Sequence, residues 1–192
     1  MVRVMFDYAF KKTFALEGGE VNDPHDRGGH TNYGITQATL DSALKRGVVS
    51  GIRSVSELTP AIARQIYLVD FWHSIRLGEV KNIEIAAEMF DTGVNMGPGK
   101  AVLIAQLALA YLGERLDIDG RMGPQTMGLI NKWCAKDPHA FFKILNGFQF
   151  IGYVDLVNGE LVDKIQSYFR DDPMQQRNAH GWMKRVQEYE TV

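Results

Sequence analysis

The stretch EGGEVNDPHDRGGHTNYGIT, residues 17–36, decides how the rest of the chain is interpreted. It holds five glycines, one proline and four carboxylates, and it follows an apolar segment with helical spacing. Glycine adopts left-handed and tightly turned backbone that other residues avoid. The stretch therefore predicts a loop or short strands folded around a site, and not a second helix.

The preceding helix determines where Glu17 lies. Phe6, Phe10 and Thr13 recur at helical spacing, and Gly18 follows as a residue typical of helix ends. Because Glu17 continues this apolar stripe, we expect it at the core-facing corner of the helix end. A carboxylic acid in such a position loses solvation when charged, and the raised pKa suits a general acid in glycoside cleavage. The alternative is a helix-end residue that points into solvent.

Asp26 is the candidate second carboxyl group. Two-carboxyl glycosidases separate the groups by about 5 Å for a nucleophilic pair, or by about 6.5–9.5 Å where water must enter. A helix-end Glu17 that faces Asp26 on a returning loop can meet either distance. The alternative is that Asp23 and Asp26 only brace turns around Pro24 and Gly28.

The rest of the chain predicts further helices. Thr36 is a suitable N-cap, and Thr59 followed by Pro60 is a strong helix start. The predicted helices are 5–16, 37–46, 60–74, 83–94, 100–112, 124–133, 138–157 and 178–190. Helix 100–112 is apolar on nearly all sides, which predicts a central buried helix. No repeat or polar linker divides the chain, so we expect one mainly α domain over residues 1–192, with a small loop or β region after the first helix.

Composition restricts the classes of function. The net charge of -2 provides no basic field for nucleic acid, and the apolar run 101–112 is too short to span a membrane. The N-terminus lacks the apolar core of a secretory signal, and the single cysteine, Cys134, cannot form an internal disulfide. These features predict a cytoplasmic location and no membrane span.

Metal and cofactor sites are not predicted. The five histidines show no zinc-binding spacing, although His25, His30 and Asp26 leave a zinc amidase-like site as an alternative. The acidic turn 117–120 does not fit a calcium loop, because the twelfth position is Gly128 where a glutamate is required. We interpret this turn as a cap before the next helix. The apolar patterns around Trp72, Trp133, Trp182 and Cys134 predict core packing.

The ordered motif in residues 17–36 resembles the hallmark of glycoside hydrolase family 108. These are lysozyme-like N-acetylmuramidases found as phage endolysins and in bacteria, some of them labelled secretion activators. Further similarity lies in FDTGVNMG at 90–97, in the Asp-Gly…Gly-Pro-x-Thr pattern at 119–126 and in GWMKRV at 181–186. The resemblance implies a mainly α, lysozyme-like fold, with a catalytic region at 1–97 and a helical lobe at 98–192 that resembles a peptidoglycan-binding segment.

The resemblance also implies roles for individual residues. Glu17 would be the catalytic acid, and Asp26 and Thr31 would stabilise the cationic transition state or hold the attacking water. Thr31 follows Asp26 after four intervening residues, where phage-type lysozymes have five. Tyr33 and Asn95 would line a sugar cleft, with packing or helix capping as the alternative for each.

The implied partner is the glycan strand of peptidoglycan, cleaved at the β-1,4 bond between N-acetylmuramic acid and N-acetylglucosamine. The same resemblance implies a monomer without a cofactor, held in the cytoplasm until a separate holin-like protein opens the membrane. Two alternatives stay open: a lytic transglycosylase on the same fold, and a non-catalytic wall-binding or secretion-regulating module.

Overall fold

The computed structural model describes residues 2–14, 21–22 and 30–158 of the chain. It confirms a mainly α, lysozyme-like fold with a small β region after the first helix. The helices are α1 (Val2–Phe14), α2 (Gln37–Lys45), α3 (Pro60–Tyr67), α4 (Ile83–Met96), α5 (Pro98–Tyr111), α6 (Pro124–Lys136) and α7 (Pro138–Asn158). The predicted helix 178–190, together with Trp182, lies outside the described residues.

Helix starts follow the capping residues in the sequence. The Thr36 hydroxyl accepts a hydrogen bond from the Thr39 amide at 3.2 Å, which confirms Thr36 as the N-cap of α2. The hydroxyl of Thr59 caps α3 in the same way, with Pro60 as its first residue. Each cap satisfies one of the amides that a helix N-terminus leaves unpaired.

One predicted helix changes its winding partway along. Residues 60–74 were expected to form a single α-helix, but α3 passes into a π-helix at Leu68–His73. Two short 3-10 helices, Val55–Glu57 and Leu77–Glu79, were not predicted. The break between α4 and α5 falls at Gly97, whose φ of 92° favours glycine.

The β region is a three-stranded antiparallel sheet. It consists of β1 (Val21–Asn22), β2 (His30–Asn32) and β3 (Ile35–Thr36), in the order β1-β2-β3. The turn between β2 and β3 is Tyr33-Gly34, with φ values of 53° and 68°. Positive φ at both central residues is the two-residue hairpin turn that matches the twist of the strands.

The core is built around α4 and α5. Phe6, Trp72 and Phe90 pack edge to face, with ring centroids 5.6–5.9 Å apart. Trp72 and Trp133 are fully or almost fully buried, which confirms core packing for these two tryptophans. Most of α5 is also buried, as predicted for a central helix. No helix among the described residues is long and apolar enough to cross a membrane.

The acidic turn before α6 is tied to α5. The buried Gln106 side chain accepts hydrogen bonds from the amides of Asp119 and Gly120, at 3.0 and 2.8 Å. Its amide donates to the Asp119 carboxylate at 2.9 Å and to the Thr126 hydroxyl at 3.2 Å. The interpretation of Asp119 as a cap was wrong, since Gly123 is the N-cap of α6 and provides no side-chain bond.

Glycine is required at one point of this turn. Gly120 has a φ of 70°, and a Cβ added there would lie 3.0 Å from the Gly99 carbonyl oxygen. The turn therefore approaches the start of α5 too closely for a side chain. The same region carries the Asp-Gly pattern that resembled a peptidoglycan-binding segment.

Candidate active site

The predicted site residues divide into those that the structure describes and those that it does not. Glu17 and Asp26 lie outside the described residues, so their roles stay predictions. Thr31, Tyr33 and Asn95 are described, and their surroundings are given below.

An aromatic cluster holds the C-terminal end of α1. Phe10 and Phe14 stack with centroids 4.1 Å apart, and the Tyr67 ring packs edge-on against Phe14 at 5.0 Å. Tyr67 is buried, so this contact fixes the last turn of α1 against α3. Glu17 follows Phe14 by three residues in the sequence, and the aromatic cluster therefore anchors the chain immediately before it.

Tyr67 also holds the hairpin turn. Its hydroxyl donates a hydrogen bond to the main-chain carbonyl of Tyr33 at 2.7 Å. The Tyr33 ring in turn lies 6.5 Å from the Phe14 ring. One side chain thus connects the end of α1 to the turn between β2 and β3. Sequence reasoning missed Tyr67, because its place in an apolar helix pattern is the same as that of an ordinary core residue.

Thr31 lies in the central strand of the sheet. It pairs with Val21 of β1 and with Thr36 of β3, and its side chain is half-buried. The next residue, Asn32, is buried and donates to the Val55 carbonyl at 2.9 Å. The strand that carries Thr31 is therefore held on both edges and, through Asn32, by the Val55 carbonyl.

Tyr33 has an unusual backbone for an aromatic residue. Its φ of 53° is in the left-handed region, which costs a non-glycine residue about 1–2 kcal/mol. The side chain is half-buried and contacts the end of α1. Strained backbone of this kind clusters at functional sites. The position suits the predicted role in a sugar cleft, and that role stays a prediction.

Asn95 is exposed in the last turn of α4. Its amide donates to the Asp91 carbonyl at 3.0 Å and approaches the Asp91 carboxylate at 3.4 Å. Within the described part of the chain, these bonds run back along α4 and do not reach Thr31 or Tyr33. The bond to the Asp91 carbonyl at the end of α4 agrees with helix capping, the alternative given for Asn95. A sugar contact by Asn95 stays a prediction.

Comparison with known proteins adds evidence for the segment that contains the predicted site residues. The family model described as glycosyl hydrolase 108 matches residues 10–97. Residues 10–97, the glycosyl hydrolase 108 region, are similar to this family over somewhat less than half of the chain. This confirms the resemblance of the 17–36 motif and supports glycoside hydrolase activity. The glycosyl hydrolase 108 region begins in α1 and ends at the break before α5, so it contains the aromatic cluster and the whole sheet.

A solved structure has a fold similar to that of this chain. The structure of Brucella abortus SagA aligns with a TM-score of 0.62 and 24% sequence identity. The alignment covers 97% of this chain and 91% of that chain, so the similarity extends well beyond the glycosyl hydrolase 108 region. No curated protein sequence matches this chain.

The single cysteine is a weak candidate for a nucleophile. Burial raises the pKa of the Cys134 thiol to about 11, so it stays protonated at neutral pH and is a poor nucleophile. Among the residues that the structure describes, no group of three His, Cys, Asp or Glu side chains could hold a metal ion. The alternative metal site at His25, His30 and Asp26 includes two residues outside the described ranges, His25 and Asp26, so it stays untested.

Proposed function

We propose that this protein is a peptidoglycan N-acetylmuramidase. It would hydrolyse the β-1,4 bond between N-acetylmuramic acid and N-acetylglucosamine, with Glu17 as the general acid. The observation that carries the proposal is the glycosyl hydrolase 108 match over residues 10–97, because this segment contains Glu17, Asp26 and Thr31 in one motif.

The described geometry supports this proposal from both sides of the motif. Tyr67 packs on Phe14 at the end of α1 and bonds the turn at Tyr33, so the chain is anchored before Glu17 and after Thr31. Catalytic groups need supports of this kind, because small displacements of a reacting group lower the rate steeply.

The proposed reaction uses this chain's own carboxyl groups. Glu17 donates its proton to the glycosidic oxygen as the bond from that oxygen to the muramic acid C1 breaks. The departing sugar leaves with a free hydroxyl, and the remaining sugar carries an oxocarbenium-like charge. Asp26 stabilises that charge or orients the water that adds to C1, and Thr31 forms a hydrogen bond with the same water. As the water oxygen bonds to C1, one proton of the water passes to a carboxylate, either Glu17 or Asp26 according to the face from which the water enters, and the other stays on the new hydroxyl group. Where Asp26 takes the proton, exchange with solvent restores protonated Glu17.

The deciding experiment is the substitution Glu17→Gln. We expect lysis of outer-membrane-permeabilised cells to fall by about 10²-fold or more, since general acids typically contribute about 10²–10⁴-fold. The thermal midpoint should stay within a few degrees. Glu20→Gln is the matched control, three residues away in the same motif, and should keep most of the activity. Full lysis by Glu17→Gln would contradict the proposal and favour a non-catalytic module.

Product analysis separates hydrolysis from the lytic transglycosylase alternative. We expect mass spectrometry of digested sacculi to show reducing N-acetylmuramic acid ends. Products with 1,6-anhydro ends would contradict hydrolysis, because they form when no water adds to C1. The assay also identifies the cleaved bond, since an N-acetylglucosaminidase would leave N-acetylglucosamine at the reducing end.

The proposal includes an endolysin role, in which the protein acts on the cell wall after it is released from the cytoplasm. A monomer held in the cytoplasm would meet peptidoglycan only after a holin-like protein opens the membrane. We expect cells that express the protein alone to keep growing and to lyse when the membrane is permeabilised. Lysis without permeabilisation would contradict this part of the proposal and leave the muramidase activity untouched.

A further inference from the structure

A cleft of about 440 Å³ lies beside Phe71, whose ring packs on Tyr67. One wall is α2, through Ala38, Ser42 and Arg46, and the other is the π-helix and its end, through Asp70, Phe71 and Ser74. The volume is within the range of about 300–1,000 Å³ that is typical of small-molecule sites. None of these residues belongs to the predicted catalytic set.

The α2 wall leaves this cleft open to solvent. Ala38, Ser42 and Arg46 are spaced four residues apart, so they form one stripe on the same face of the helix. All three are exposed, and the first two have short side chains. The Arg46 side chain bridges the two walls through Asp70, so a ligand would enter beside Ala38 and Ser42, where the side chains are short.

The opposite wall is formed by unusual backbone. The π-helix Leu68–His73 presents Asp70 and Phe71 to the cleft. Ser74, which follows the π-helix, also lines it, and its hydroxyl donates to the Asp70 carbonyl at 2.6 Å. π-helical turns are rare and are frequent at functional sites. The cleft and the altered helix thus coincide, and each is an independent indication of a binding function.

The charges in the cleft select a neutral polar ligand. Arg46 binds Asp70 in a bidentate ion pair, with nitrogen–oxygen distances of 2.7 and 2.6 Å. The Arg46 Nε donates to the Ser42 carbonyl at 3.1 Å. Guanidinium has five N–H donors, so two of them stay directed away from these partners. Because Asp70 neutralises the charge, an anionic ligand gains little here, whereas hydroxyl and amide groups can accept the remaining hydrogen bonds.

Apolar surface completes the arrangement. Phe71 and Pro98 both line the cleft, and the Phe71 ring packs on Tyr67 with centroids 5.0 Å apart. A pyranose ring has an apolar C–H face and a polar rim of hydroxyl groups. It therefore matches a cleft that combines an aromatic wall with a few hydrogen-bonding groups.

We propose that the cleft between α2 and the π-helix is a saccharide subsite that binds a neutral amino-sugar unit of the glycan strand. The subsite rests on the proposed function for its substrate. Phe71 of the cleft packs on Tyr67, and the Tyr67 hydroxyl bonds the Tyr33 carbonyl at the hairpin turn. The subsite is therefore linked to the candidate active site through Tyr67 without sharing its residues, and it would hold a part of the strand away from the cleaved bond. It would contribute to substrate affinity and leave the chemical step unchanged.

The test is to fill the cleft from the α2 side. Ser42→Tyr places a ring in the opening, and Lys45→Tyr adds the same ring to an exposed position of α2 that does not line the cleft. The probe is the β-1,4-linked tetramer of N-acetylglucosamine, titrated into the full chain by calorimetry. We expect Ser42→Tyr to weaken binding at least tenfold and to raise KM on glycan strands at least tenfold, with kcat within twofold. Lys45→Tyr should match the wild type.

Binding and turnover together distinguish the two proposals. If the wild type cleaves glycan strands and Ser42→Tyr has an unchanged KM and affinity for the tetramer, the subsite is wrong and the muramidase proposal stands. If the wild type cleaves nothing but binds the tetramer in a manner that Ser42→Tyr abolishes, the muramidase proposal is wrong and the sugar site stands. Ala38→Gln, on the same stripe, replaces Ser42→Tyr if that variant does not fold, with the same expected result.

Discussion

The Tyr67 hydroxyl donates a hydrogen bond of 2.7 Å to the main-chain carbonyl of Tyr33, which is 34 residues earlier in the sequence. The same Tyr67 ring packs against Phe14 at the end of α1 and against Phe71 in the π-helix. A single buried side chain therefore connects the end of α1, the β2–β3 turn and the wall of the cleft.

Removing only this hydroxyl should affect activity more than stability. In Tyr67→Phe the ring contacts stay, while the Tyr33 carbonyl loses its donor. A hydrogen bond of this kind contributes about 0.5–1.5 kcal/mol to the free energy of unfolding. We expect urea unfolding to show a loss of that size. We also expect kcat to fall by a larger fraction than the free energy of unfolding does, because the turn is freer to move.

Tyr8→Phe is the matched control for this prediction. It also removes one tyrosine hydroxyl, which bonds Glu84 on the exposed side of α1. We expect Tyr8→Phe to keep the activity of the wild type. Equal losses of kcat in the two variants would show that the hydroxyl of Tyr67 has no special role at the turn.

The backbone of Tyr33 allows its ring to be tested separately from its contribution to stability. Asparagine tolerates the left-handed region better than tyrosine, so Tyr33→Asn relieves strain while it removes the packing against Phe14. We expect these effects to offset each other and the thermal midpoint to stay within a few degrees. Activity on glycan strands should fall at least tenfold if the ring stacks on a sugar.

Tyr33→Phe gives the control for stacking. It keeps the ring and the backbone strain and removes only the phenolic hydroxyl. We expect it to retain most of the activity that Tyr33→Asn loses, measured as kcat/KM on the same strands. Wild-type activity in Tyr33→Asn would assign the ring to packing alone.

Local signals predicted much of this fold. Thr36 and Thr59 cap their helices as the sequence indicated, and Gly97 separates α4 from α5. These features depend on residues within one helical turn of each other, which is why a single sequence shows them. The family motif added Glu17 and Asp26, whose roles are predictions that no described residue tests.

Features that depend on distant partners were not predictable. The acidic turn 117–120 was interpreted as a cap, because the sequence does not show that the partner of Asp119 is Gln106, 13 residues earlier on α5. The π-helix could not be predicted either, since the sequence LVDFWH is compatible with an ordinary α-helix. Tyr67 was missed for the same reason, because its bond to Tyr33 depends on how α3 packs against the sheet.

Gln106 is expected to be a major determinant of stability. It is 1% exposed, and its side chain satisfies the amides of Asp119 and Gly120. In Gln106→Leu both amides lose their partner, and a buried unsatisfied polar group costs about 1–3 kcal/mol. Because Asp119 is exposed and Gly120 is half-buried, water replaces part of the lost bonding, and we expect the free energy of unfolding to fall by about 1–3 kcal/mol, measured by urea denaturation.

Gln125→Leu serves as the comparison. Gln125 is exposed and donates one hydrogen bond to the Arg115 carbonyl at 3.0 Å. Because water can replace that bond, we expect a change below about 1 kcal/mol. A similar loss in both variants would mean that the turn 118–123 is not held by Gln106.

The buried Glu88 should make stability depend on pH. It is 8% exposed, and burial raises its pKa above the ordinary value of 4.5, with repulsion from Asp91 adding to the effect. Lys12 of α1 and the Gln149 amide of α7 favour the charged form, and Glu84 opposes it. The unfolded chain therefore releases this proton at a lower pH than the folded protein, and stability falls as pH rises above about 4.5.

Glu88→Gln removes this penalty, so we expect a higher thermal midpoint than the wild type at pH 7 and no difference near pH 4.

Glu84→Gln, one turn earlier on α4, should change the thermal midpoint at pH 7 in the opposite direction. Hydrogen bonding from Tyr8 lowers the pKa of Glu84, and Lys12 lowers it further. Its contribution is present at pH 7 and lost as pH falls below 4.5, so Glu84→Gln should lower the midpoint at pH 7, by a small amount because the side chain is 47% exposed. Calorimetry from pH 4 to 7 measures both, and shifts of equal sign at pH 7 would refute the assignment of Glu88 as the penalised carboxyl.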